Sequence, residues 1–171
     1  THMDPRVQTP VSPRSVHPWD MVKEFAPLRM FPFEITQAHL YPFVPQAHKV
    51  DQEKHKGLHA IGKIVSENSS LHNAATRLLR TSEWDFMAVY HDMIDHFCHS
   101  FMKYHPPKHP GVDPANYELF KDAVTGAYIF QDMMLERTLN LIDKDTTVIV
   151  MSDHGFESGD KRILNMPKVQ A

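Results

Sequence analysis

Asp95 and His99 stand four residues apart in HDMIDHFCHSF, residues 91–101. On a helical turn that spacing projects both side chains from one face, where they can share an ion. A second pair, Asp153-His154, follows the apolar run Val148-Ile149-Val150-Met151 and is closed by Gly155. A carboxylate and an imidazole in each pair make a mixed donor set. Such a set suits Zn²⁺ or Mn²⁺ better than Mg²⁺. Gly155 lets the backbone turn tightly beside the pair, where a side chain would crowd an ion. Two such pairs in one place would hold one or two divalent cations. The chain has 13 His, but most stand singly and read as surface side chains.

Something must bring the two pairs together. WDFMAVYH, residues 84–91, is short and largely apolar, which predicts a buried parallel strand ending just before the first pair. TTVIVMS, residues 146–152, predicts the next strand, ending at the second pair. After the loop PPKHPGVDP, the stretch from Asn116 to Asp143 predicts one long helix. Its buried stripe would be Tyr117, Phe120, Val124, Ala127, Tyr128, Met134, Leu135, Thr138 and Leu141. Strand, crossover helix and strand form a right-handed βαβ unit. In open α/β sheets the chemistry lies beyond the carboxyl ends of the strands.

The stretch before Trp84 has a different character. WDMVKEFAPLRM predicts a short helix broken near Pro27, and FPFEITQAHLYPFVP short helical turns. Leu58, Ile61, Ile64 and Val65 recur at helical spacing. The polar break SENSS then predicts a second helix carrying Leu71, Ala74, Ala75, Leu78 and Leu79, capped by Asn68 or Ser69. The expected organisation has three parts. Residues 1–17 are a cloning remnant and a proline-rich connector, 18–82 a helical insert, and 83–171 part of an α/β catalytic domain. The expected fold class is therefore α/β: a partial parallel sheet with a crossover helix, plus a helical insert subdomain.

Composition narrows the function. A net charge of -3 with His neutral leaves no basic stripe for a nucleic-acid polymer. No run approaches ~18 consecutive apolar residues, so no membrane span is expected. One cysteine, Cys98, permits no intrachain disulfide and reads as a small buried apolar side chain. A cytoplasmic location is the expectation.

WDFMAVYHDMIDHFCHSFM followed by TTVIVMSDHGF resembles the alkaline phosphatase superfamily, in its type I phosphodiesterase and nucleotide pyrophosphatase branch. That family's Asp-x-x-x-His motif falls on Asp95 and His99, and its Asp-His-Gly motif on Asp153, His154 and Gly155. The resemblance implies an alkaline-phosphatase-like sheet and hydrolysis of phosphate esters at a two-metal site holding Zn or Mn. Asp95, His99, Asp153 and His154 would be metal ligands and the substrate a small phosphate ester. The resemblance also implies a nucleophilic Thr or Ser upstream, an earlier Asp ligand and a later His ligand. No matching motif precedes Asp95, and Thr9 sits in a proline-rich TP dipeptide. The chain is thus expected to be an internal segment of a larger enzyme, inactive alone. Two strands with open edges are expected to oligomerise or swap elements.

Two other readings stay open. His72, His91, Asp92 and Asp132 would be the ligand set of an all-α His-Asp metal phosphohydrolase. Alternatively, the helical part is a non-catalytic binding or regulatory segment on a scaffold that has lost its chemistry.

Overall fold

Helix α3, Gly57–Thr81, supplies the long surface on which neighbouring elements pack in the computed structural model. The structure describes residues 15–157. The cloning remnant, most of the connector, Thr9 and residues 158–171 of the expected catalytic part lie outside them. Before α3 come short pieces, as the prolines dictate: a 3₁₀ turn Trp19–Met21, α1 Val22–Phe25, a turn Ala26–Leu28 holding Pro27, a turn Pro32–Glu34, α2 Gln37–Leu40 and a turn Ala47–Lys49. After it come α4 Met93–Phe101, α5 Pro114–Phe120 and α6 Ala123–Leu139.

The expected break at SENSS is absent, and α3 runs through it. Ser66 Oγ donates to the Lys63 carbonyl, and Ser70 Oγ donates to that of Ser66. Ser70 Oγ also accepts from Met30 N at 2.8 Å. Asn68 is 2% exposed and bonds to residues of later elements. These polar residues are therefore satisfied within the packing, so none is needed as a cap. The expected helix from Asn116 to Asp143 is instead two helices, with a turn at Lys121-Asp122. Asp113 caps the first, its Oδ1 accepting from Asn116 N. Phe120 and Ala123, on either side of the turn, are both fully buried. α5 packs beside the Met102–Tyr104 turn, whereas α6 packs along α4. Two partners in different directions require two helix axes. Tyr128, expected in the stripe, is 53% exposed.

One apolar cluster joins these pieces, from Phe43, Val44 and Ile61 to Phe97, Phe101, Phe120 and Ala127. Its rings touch in sequence: Phe43 to Phe97 at 5.1 Å, Phe97 to Phe101 at 5.7 Å and Phe101 to Phe120 at 5.5 Å between centroids. Aromatic contacts of this kind add to area burial.

The α/β expectation is overturned: the described residues are helical and contain no strand. Segments 84–91 and 146–152 have no regular secondary structure. A helix closes its hydrogen bonds within itself, whereas a strand exists only through a neighbour's ladder. Val148 is 45% exposed, Ile149 78%, Val150 75% and Met151 86%, so nothing described covers this run. Exposure does alternate along 86–91, with Phe86, Ala88 and Tyr90 exposed and Met87, Val89 and His91 half-buried. That is the two-residue period of a strand with one face covered. Among the described residues, no helix is long and apolar enough to cross a membrane.

Candidate metal centre

Asp95 lies in the first turn of α4 and His99 one turn on, so the helix sets them side by side. Asp95 Oδ2 is 3.4 Å from His99 Nε2. The second pair arrives on the irregular segment after Met151. His154 Nε2 stands 3.9 Å from Asp95 Oδ1 and 3.8 Å from Asp153 Oδ2. The two sequence pairs therefore meet through Asp95, which faces both imidazoles. Phe156 lies against the junction, its ring edge-on to His99 at 4.9 Å and 89°. Sequence reasoning missed Phe156. Its only signal was an aromatic residue two places after a ligand-type histidine.

His154 is oriented by its own backbone. Its Nδ1 donates to the Gly155 carbonyl at 2.9 Å, so in the neutral imidazole Nε2 is the bare nitrogen, turned toward the carboxylates. That backbone bond, then the Asp153 charge, holds the His154 imidazole above its ordinary pKa, with Asp95 adding to the effect. Asp95 Oδ1 is buried and makes no hydrogen bond. Burial pushes the neighbouring Cys98 thiol up, and the Asp95 carboxylate adds to this, so Cys98 stays a buried, protonated thiol.

Donor types, the bare imidazole nitrogen and the unpaired carboxylate oxygen all fit a divalent cation. Two donors ~2.1 Å from a tetrahedral ion stand about 3.4 Å apart. The Asp95–His99 pair has that spacing, whereas the contacts to His154 are wider. Accordingly, among the described residues no group of three or more His, Cys, Asp or Glu side chains is gathered closely enough to hold a metal ion. The site is open to solvent, with Asp153 80% and His99 66% exposed. A Cβ added at Gly155 would meet nothing within 4 Å, and its φ is not positive. Here the protein itself imposes no need for glycine.

The alternative set His72, His91, Asp92 and Asp132 likewise forms no metal-holding group among the described residues. His72 and His91 lie near each other, ring centroids 6.2 Å apart, but Asp92 turns its Oδ2 toward His96 at 3.9 Å.

A family model described as type I phosphodiesterase / nucleotide pyrophosphatase matches residues 2–169. The chain belongs to that family. It is a family of phosphoric ester hydrolases within the alkaline phosphatase superfamily, typically metal-dependent and acting on phosphate esters. Asp95-x-x-x-His99 and Asp153-His154-Gly155 both fall inside the matched span. No curated protein and no solved structure matches the chain.

Proposed function

We propose that Asp95, His99, Asp153 and His154 are metal ligands of a phosphodiesterase or nucleotide pyrophosphatase that works with two divalent ions, Zn or Mn. The observation that supports this most is the meeting of the two motifs at Asp95. A carboxylate oxygen with no hydrogen bond there faces a histidine whose tautomer leaves Nε2 bare. Divalent ions would polarise a phosphoryl oxygen and offset its charge. The chain's own part is to fix donor positions: α4 holds Asp95 and His99 at one spacing, and the Gly155 carbonyl orients His154. Gly155 leaves room beside the occupied site.

The same proposal takes this chain alone to be inactive. The family's nucleophilic Thr or Ser and its remaining ligands match no motif found in the 171 residues. The substrate is a small phosphate ester and the setting cytoplasmic, which the lone buried Cys98 supports. The exposed apolar run Val148–Met151 is the surface through which copies would self-associate or exchange elements.

The test is hydrolysis of a bis-nitrophenyl phosphodiester with Zn²⁺ or Mn²⁺ added, by this chain and by the protein extended at both ends. Turnover in the extended protein only, abolished by Asp153→Ala, supports the reading. Turnover unaffected by that substitution removes Asp153 from the site. Turnover by this chain alone overturns its expected inactivity.

A further inference from the structure

A second polar cluster lies where α3, the approach to α4 and α6 meet. Asn68 and His72, on α3, are 2% and 8% exposed. Asn68 Nδ2 lies 3.1 Å from Met134 Sδ, 3.3 Å from Met93 Sδ and 3.3 Å from Gln131 Oε1. A thioether sulfur only accepts, so the amide nitrogen must face the two methionines and Oδ1 must face the other way. There it meets His91 Nδ1 at 2.8 Å. A carbonyl oxygen cannot donate, so His91 carries its proton on Nδ1 and its Nε2 is bare. The His72 ring stands 6.2 Å away, tilted by 41°. Its Nδ1 is buried with no hydrogen bond.

We propose that His72 and His91 form a proton-sensitive joint: neutral, they let α3 hold the approach to α4, and a proton taken up there releases α4. The consequence reaches the Asp95–His99 face because α4 carries it, whether or not that face binds metal.

The surroundings give the direction. Burial pushes both imidazoles below their ordinary pKa. For His72, His91 and the Arg137 guanidinium of α6 oppose a positive charge further. For His91, the Asp92 carboxylate at the approach to α4 favours the charge, but burial outweighs it. Besides His72 itself, α3 offers the neutral Asn68, and α4 and α6 offer the thioethers of Met93 and Met134. A second proton on His91 would therefore sit in a buried place near the His72 ring, with the Asp92 carboxylate to offset it. A second proton on His72 would find no acceptor at Nδ1. A group whose folded pKa is depressed below 6.5 leaves the folded state fully stable above that pH. Stability is then lost as the pH falls below 6.5 toward the folded value. Two such groups raise the opening equilibrium by at most about a hundredfold per pH unit.

The experiment uses the full 171-residue chain. Ring NMR signals of His72 and His91 are followed from pH 8 to 5, and amide hydrogen exchange is measured at pH 7.5 and 5.5 with correction for intrinsic rates. We expect both rings to titrate below 6.5. Protection of residues 93–101 should fall at least tenfold relative to residues 61–65 at the lower pH. In His72→Leu/His91→Gln that differential loss should disappear. Titration of both rings at or above 6.5 overturns the proposal even if the double variant fails to fold. So does unchanged relative protection of α4 in the unaltered chain, or a folded double variant that keeps the full pH response.

Discussion

Asp95 Oδ1 and His154 Nε2 face each other across 3.9 Å, and through this contact α4 meets the irregular segment 152–156. Asp95 also reaches His99, whereas among the described residues Asp153 reaches only His154. The two carboxylates should therefore not be equivalent. Asp95→Asn is expected to weaken Mn²⁺ or Zn²⁺ binding by the extended protein more than Asp153→Asn does. A difference of tenfold or more is within the range seen when metal-site geometry is disturbed. Isothermal titration with each ion measures it, and equal losses would deny Asp95 its central place.

Gly126 tests the packing of α6. A Cβ there would collide with the Pro42 carbonyl oxygen, which belongs to backbone and cannot swing aside. The neighbouring Phe43 and Ala127 are fully buried. Gly126→Ala should destabilise the fold by about 1–3 kcal/mol despite alanine's better helix propensity. Urea unfolding gives the value. A gain in stability would mean that α6 and the Pro42 turn are not in contact.

His55 supports the start of α3 in a way that depends on pH. Its Nδ1 accepts from Gly57 N at 3.0 Å, and its ring stacks on Phe120 at 4.5 Å. Its Nε2 lies 3.2 Å from the Tyr104 hydroxyl. Burial, and then the Lys103 charge, hold this imidazole below its ordinary value. Protonation at Nδ1 would remove the acceptor for one of the helix's unpaired N–H groups. The support is full above pH 6.5 and is lost as the pH falls through the depressed folded value. Corrected for intrinsic rates, amide protection at Gly57 should fall on acidification more than at Ile61, and His55→Ala should show the lower protection already at pH 7.5.

Ile149 and Val150 are 78% and 75% exposed in a run that reads as strand in the sequence. An apolar run without a neighbour is a template for association. Ile149→Lys is expected to shift the chain toward monomer in size-exclusion chromatography at high concentration. A chain that is already monomeric there, before any substitution, would argue against self-association through this run.

The pairing within Asp95–His99 and within Asp153-His154 was legible in the sequence because that information is local. Side-chain type and a four-residue helical spacing fix Asp95 beside His99, and chain adjacency fixes Asp153 beside His154. The prolines likewise marked the short turns between Trp19 and Lys49, since a residue without an N–H cannot continue a helix. The apolar periodicity announced α3, but not that it runs unbroken. A buried serine or asparagine resembles a cap until its partners are known, and Met30, Gln131 and Met134 are distant in sequence.

Tertiary structure decided what depends on such distant partners. It split the expected long helix at Lys121-Asp122, because α5 and α6 pack on different neighbours. It left 84–91 and 146–152 without a ladder, because strand formation needs a second strand whatever the segment's own preference. It brought His154 to Asp95, placed Phe156 against His99, and joined His72 to His91 through the surroundings of Asn68. Residue type and short spacing belong to the sequence alone. Contacts between remote residues, and the burial that sets their protonation, arise only when the helices pack.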